Sequence, residues 1–190
     1  MGYYNDEKNV AAYIEMADGY IGHALINTLE QYIPDGSTVL ELGMGPGTDL
    51  LLLAQYYRVT GSDFAEPFLH RFRRQHPDID LMLLDAVTLE TNRTFDAIYS
   101  NKVLYHLTPA ELRQSFTEQL RLLKPGGIAL HSFWYGEKPS EEMNELHFEY
   151  HTYDTLRDLI DPRFSLQEVG RYGEIEPDDS LFIVLKKRFM

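Results

Sequence analysis

No cysteine occurs anywhere in the 190 residues, so disulfides, thiolate metal sites and a cysteine nucleophile are excluded together. Basic residues are scarce: 17 Lys and Arg against 30 Asp and Glu leave a formal charge of -13. That charge repels the phosphates of nucleic acid and an anionic membrane surface, so neither is expected as a partner. Long apolar runs are missing too. The segment Met1 to Glu15 places Asp6 and Glu7 beside Lys8 and reads as neither signal peptide nor membrane span, which makes the cytoplasm the expected location.

What remains is ordinary for a folded chain, with 44% apolar and 25% charged residues. The length suits a single domain over 1–190, with a helical cap in 1–36 ahead of a core in 37–190. From Val10 to Ile33 apolar residues recur at helical spacing, broken near Gly19 and Gly22,. Pro34 to Ser37 then forms a turn, and Thr38 to Leu42 a short buried strand,.

Strand and helix alternate from there. Helix is expected over Thr48 to Tyr57, Pro67 to Gln75 and Ala110 to Leu123, the last opened by Pro109 behind a Thr108 cap and stopped by Lys124-Pro125-Gly126-Gly127,. Strands are expected at Val59 to Asp63, Asp80 to Leu84, Phe95 to Ser100 and Gly127 to Trp134,. Tyr135 to Tyr150 reads as a loop or poorly packed helix over the sheet edge, in the place of a lid,. Helix at Tyr153 to Ile160 precedes strands at Ser165 to Tyr172 and Leu181 to Lys186, joined by the acidic turn Glu174 to Asp179,. This alternation means an α/β sheet covered on both faces, with ligands beyond the carboxyl ends of the strands where strand order reverses.

The strongest local signal lies there. In Glu41-Leu42-Gly43-Met44-Gly45-Pro46-Gly47 three glycines at alternate positions let the backbone turn sharply and approach a ligand closely,. A dinucleotide fingerprint needs glycine where this chain has Thr48, and Pro46 removes an amide a pyrophosphate would use,. No Gly-Lys-Ser or Gly-Lys-Thr closes the loop either, which leaves nucleosides without a phosphate tail. Asp63 ends the next strand about 20 positions after Gly43, the distance at which a carboxylate meets ribose hydroxyls; its alternative role is a helix cap. Asp85 closes the third strand, where it either accepts from an exocyclic amine or caps a turn.

Taken in order, Val39 to Gly47, Gly61-Ser62-Asp63, Leu84-Asp85-Ala86, Phe95 to Ser100, Val103-Leu104-Tyr105-His106-Leu107 and Leu123 to Gly127 resemble the class I S-adenosylmethionine-dependent methyltransferases, strongly over about Ser37 to Gly127. The resemblance implies a Rossmann-like three-layer α/β/α sandwich, its seven-stranded sheet mostly parallel with the last strand antiparallel. It implies S-adenosylmethionine as cofactor and S-adenosylhomocysteine as product. By the same resemblance Gly43, Gly45 and Gly47 line the methionyl part, Glu41 steadies the loop and Asp63 holds the ribose. Phe64 packs on adenine, Asp85 and Ala86 meet its amine edge, and Ser100, followed by Asn101, faces the ammonium.

Family members that methylate base amines or protein glutamine carry Asn/Asp-Pro-Pro-Tyr after the fourth strand. Ser100-Asn101-Lys102-Val103-Leu104 departs from that and is similar to the branch acting on small metabolites. A small-molecule methyl acceptor is therefore expected, with the protein a monomer or homodimer. Methyl transfer to an activated carbon needs alignment and a site free of bulk water, and no metal. If the acceptor loses a proton, His106 and His131 are candidate bases by position. Trp134, Tyr13, Tyr20 and Tyr172 are candidates for an aromatic pocket around an apolar or cationic acceptor. Two other readings stay open: a noncatalytic module that binds or senses S-adenosylmethionine, and a nicotinamide-dependent oxidoreductase.

Overall fold

The computed structural model describes residues 3–17, 19, 22–143 and 145–189. Seven strands form one sheet: β1 (Thr38–Leu42), β2 (Arg58–Asp63), β3 (Asp80–Leu83), β4 (Phe95–Ser100), β5 (Leu123–Trp134), β8 (Phe164–Tyr172) and β9 (Ser180–Lys187). Their order is β3-β2-β1-β4-β5-β9-β8. The first five are mutually parallel, while β9 runs antiparallel to both β5 and β8. This is the Rossmann-like arrangement the resemblance implies. Between β1 and β4 the chain's direction of travel across the sheet reverses, which opens a crevice beyond their carboxyl ends.

Alternation along the strands divides the core. Val39, Ala97, Ile128, Leu130 and Val184 face α2 (His23–Leu29) and α3 (Thr48–Leu53). Leu40, Leu42, Ile98, Ala129 and Phe133 face α5 (Pro109–Leu122) and α6 (Tyr153–Arg157). A period of two on a sheet covered on both sides leaves no polar face, hence the nearly unbroken apolar runs of β1 and β4. α4 (Glu66–Gln75) sets Leu69 and Phe72 on Met44 and Leu50. α1 (Glu7–Met16) contributes Val10, which with Tyr13 and Tyr4 packs on Ala65 and Phe68 in a small cluster separate from the main core. Among the described residues no helix is long and apolar enough to cross a membrane.

Local chemistry explains the boundaries. The Thr108 side chain accepts from Glu111 N while Glu111 returns to the Thr108 amide, a complete capping box ahead of α5,. α3 stops at Leu53 instead of reaching Tyr57, because the amides of Gln55 and Tyr56 tighten onto Leu52 and Leu53 carbonyls and the Tyr56 carbonyl accepts from Gly36,. β5 begins at Leu123, earlier than expected: Lys124 to Gly127 bulges within the β4 pairing, with Gly126 at φ 76°,. The segment expected as loop or helix folds into a hairpin, β6 (Glu141–Met143) against β7 (Leu146–Phe148).

Candidate functional site

The crevice is built first from backbone. β1 ends at Leu42, and the chain turns through Gly43, Gly45 and Gly47 at φ 63°, 51° and 85° before α3 starts at Thr48. A β-carbon at Gly43 would strike Val103, and one at Gly47 would strike Phe72. Those two glycines therefore serve the protein's own packing as well as the turn. At Gly45 the nearest atom to such a carbon would be a Tyr13 ring carbon at 3.6 Å, so this is the glycine that looks into open space. The cavity it faces holds about 90 Å³, lined by Tyr13, Glu41, Gly43, Gly45, Asp49, Asn101, Lys102 and Glu174 among others.

Carboxylates dominate its wall. Asp63, at the tip of β2, accepts from Gly45 N at 3.0 Å and Ala65 N at 2.9 Å. Burial lifts its pKa to about 6 against the pull of those amides,. It therefore points at the glycine bend; toward α4 it closes only a short turn at Ala65, and the helix start has no side-chain cap. Glu41 is buried, its Oε2 has no hydrogen-bond partner among the described residues, and burial, then Asp49 and Asp63, push its pKa well above the carboxylate range.

Asp49 was not singled out by the sequence, yet it ties three segments together, accepting from Gly22 N (2.8 Å), Tyr99 Oη (2.7 Å) and Asn101 Nδ2 (3.1 Å). An acidic residue in the first turn of a helix is common,, so only these partners from distant segments single it out.

Lys102 and Glu174 were missed as well. Lys102 leaves β4 at φ 53° and sends its ammonium 3.0 Å above the Trp134 ring centroid. There it donates to Glu174 at 2.8 Å and to Ser180 Oγ at 2.7 Å. The Trp134 face expected to receive a cationic acceptor is thus already covered by the protein's own cation. Tyr172 stands behind it, its ring 5.6 Å from the same ammonium and its hydroxyl 3.4 Å from Glu174.

The remaining residues separate. Leu84 N donates to Asp63 O at 3.0 Å, so Asp85 and Ala86 begin just beyond that tip. Phe64 beside them is 51% exposed. Asp85 Oδ1 accepts from Val87 N (2.6 Å) and Thr88 N (3.1 Å), the turn-capping arrangement. Ser100 Oγ points into the core toward His131 Nδ1 at 2.8 Å, and His131 Nε2 meets Gln119 Oε1 at 2.8 Å. The placement of His131 as a base toward the acceptor is corrected here: it is fully buried, both ring nitrogens are taken, and burial drives its pKa to about 3. His106 lies instead beside Tyr105 and Phe148, outside the cavity lining. Tyr20 lies outside the described residues.

Comparison with known proteins bears on this geometry. Residues 39–127 match a family model described as a methyltransferase domain. The chain is 32% identical over 108 residues, 56% of its length, to a tRNA (carboxymethyluridine(34)-5-O)-methyltransferase of Arabidopsis thaliana. It is 31% identical over 99 residues, 50% of its length, to a trans-aconitate 2-methyltransferase of Azoarcus sp. (strain BH72). The matched stretches make up 26% and 38% of those relatives, so the chain spans well under half of either. A solved Burkholderia thailandensis 1,6-didemethyltoxoflavin-N1-methyltransferase, with 1,6-didemethyltoxoflavin and S-adenosylhomocysteine bound, shares the fold at a TM-score of 0.77 and 18% identity, over 96% of this chain and 87% of that one. The N-methyltransferase NodS of Bradyrhizobium japonicum WM9, solved with S-adenosylhomocysteine, does so at 0.67 and 18%, over 86% and 84%. The family segment thus runs from β1 into β5, and the fold around it is shared with these solved methyltransferases along nearly the whole chain.

Proposed function

We propose that the chain transfers a methyl group from S-adenosylmethionine to a small-molecule acceptor. The observation that carries this reading is the charge of the cavity at the glycine bend. Glu41, Asp49 and Glu174 line it, Asp63 lies behind it, and the one cation among its described lining residues, Lys102, is held by Glu174. Such a wall opposes the pyrophosphate of a nicotinamide cofactor and suits a ligand with positive sulfur and an ammonium. Glu41 fits the same ligand: its buried Oε2, without a partner among the described residues, suits a ligand donor, and an adjacent cation would favour its ionised form.

In this reading Gly43 and Gly45 admit the methionyl chain, the exit of β4 at Ser100 and Asn101 takes the ammonium, and Asp63 takes the ribose. Phe64, Asp85 and Ala86 flank the adenine. The cofactor supplies a methyl carbon activated by its sulfonium, and the protein's part is to align the acceptor and exclude water. The cavity as it stands holds only one end of such a ligand, because Tyr13 lies over Gly45. Entry requires α1 to lift, and the small cluster that fastens α1 makes that opening inexpensive.

The small-molecule acceptor draws support from the -13 charge and from relatives that act on trans-aconitate and 1,6-didemethyltoxoflavin. The tRNA methyltransferase relative is the competing case. Isotope-labelled S-adenosylmethionine offered with tRNA and, separately, with a metabolite extract separates the two: label is expected in the metabolites, and label in tRNA overturns the acceptor class. Binding is tested by calorimetry. S-adenosylhomocysteine is expected to bind and NADH not to, and Asp63→Ala is expected to weaken the former by about 1–3 kcal/mol through lost charge-assisted hydrogen bonds. NADH binding in place of S-adenosylhomocysteine overturns the reading, and binding without label transfer to any acceptor leaves a noncatalytic cofactor-binding module.

A further inference from the structure

Past the carboxyl end of β4 lies a histidine whose protonated nitrogen is set by a neighbouring hairpin. After β4 the chain makes a 3-10 turn over Leu104–His106, and His106 Nδ1 lies 2.7 Å from the carbonyl oxygen of His147 on β7. A carbonyl has no hydrogen to give, so Nδ1 is the donor. The neutral ring then keeps its lone pair on Nε2, which has no hydrogen-bond partner among the described residues.

The surroundings favour the neutral ring. Its centroid is 4.1 Å from that of Tyr105 and 5.0 Å from that of Phe148. Tyr105 stands edge-on to Trp134, and Trp134 carries Lys102, which lines the cavity. A continuous aromatic wall therefore joins the glycine bend to His106. Burial, with the charge of His147, lowers the pKa of His106 against the opposing hydrogen bond to the His147 carbonyl. The hairpin in turn is clamped. The His147 ring bridges Glu142 at 2.6 Å and Glu149 at 2.8 Å, and Glu149 N donates to the Tyr105 carbonyl at 2.8 Å.

We propose that the β6–β7 hairpin holds His106 as a neutral Nδ1–H tautomer, so that Nε2 accepts a hydrogen bond from the acceptor. The substrate class follows: a flat, largely apolar molecule whose methylated atom begins as an O–H or N–H. When that atom gains its methyl group its proton passes to Nε2, and Nδ1–H still donates to the His147 carbonyl, so no further reactant is needed. This deepens the methyltransferase reading above and rests on it. The titratable groups that bear on His106 are Tyr105 and His147, with Glu142 and Glu149 behind His147 and Glu111 of α5 also within its field.

The test is nitrogen NMR on histidine-labelled full chain at neutral pH, with phenol and toluene as probes, each with and without S-adenosylhomocysteine. His106 is expected to show a protonated Nδ1 and a bare Nε2. Phenol is expected to shift the Nε2 resonance, and toluene to bind without shifting it. His106→Asn keeps a donor near the Nδ1 position and removes Nε2. It should weaken phenol roughly three- to tenfold and leave toluene unchanged. His147→Ala frees the hairpin from its two glutamates and should return His106 to a mixture of tautomers.

A proton on Nε2 in the free protein, no phenol binding, or equal phenol affinity in His106→Asn overturns the proposal, and an unchanged tautomer in His147→Ala removes the hairpin's part. S-adenosylhomocysteine binding, read from the same samples, reports on the cofactor assignment separately.

Discussion

The two halves of the crevice are built differently. On the β1–β2 side the fixed points are backbone: three left-handed glycines, amides donating to Asp63, and a strand tip in register with its neighbour. On the β4–β5 side they are long side chains from distant segments, with Lys102, Trp134, Glu174 and Ser180 meeting at one ammonium. A side made of backbone has one shape and suits a ligand that does not vary. A side made of side chains can be rebuilt residue by residue, which is what the proposed function asks of the side that takes the acceptor.

That contrast can be broken at its rigid end. Gly47 sits at φ 85° with Phe72 where a β-carbon would go. Gly47→Ala is expected to destabilise the fold by about 2–5 kcal/mol, from left-handed strain and overpacking together. Thermal unfolding showing a loss under about 1 kcal/mol would mean that the bend relaxes and is less rigid than described.

Asp63 sharpens the comparison through pH. Its pKa rises from 3.8 to about 6 in the fold, so between those values the native state binds more protons than the unfolded chain. The stability contributed by this group therefore grows as pH falls through 6 and is complete below 3.8, by about 3 kcal/mol. Carboxylates with lowered pKa values, such as the partly exposed Asp96, act in the opposite sense, so the measurement is the difference between the native chain and Asp63→Asn in denaturant titrations from pH 7 to 4. A flat difference contradicts the burial of the charge.

The smallest effect is expected on the adaptable side. Lys102→Met leaves Glu174 facing Trp134 without its cation and should cost about 1–2 kcal/mol, less than a fully buried pair because both side chains keep some contact with water,. Adding Glu174→Gln should recover most of it. A double variant no more stable than the single one would show that the ammonium's place on Trp134, not its pairing with Glu174, is what matters.

The same division explains what could be read from sequence. β1, β4, the Thr108 cap and the glycine bend are fixed by neighbours in the chain, through strand periodicity, capping chemistry and the demand for positive φ, and all were legible. Asp49 was not, because its partners come from Gly22, Tyr99 and Asn101, and nothing local distinguishes it from any acidic first-turn residue. Lys102 and Glu174 meet only once β9 and β8 have joined the sheet. His131 looked reactive because position was all that could be judged; its neutrality follows from Ser100 and Gln119 closing on it inside the core. The hairpin at Glu141 to Phe148 escaped notice because a short exposed pair of strands has little apolar alternation to betray it,.

Asp49 also works as a splice. One carboxylate joins the incoming amino-terminal arm at Gly22 to the strand that carries Tyr99 and to the residue that follows it. Displacing the arm strips a donor from Oδ1 of a buried carboxyl group whose Oδ2 holds Tyr99 and Asn101. A change at the front of the chain thus reaches the mouth of the site through a single oxygen pair, without any helix having to move between them.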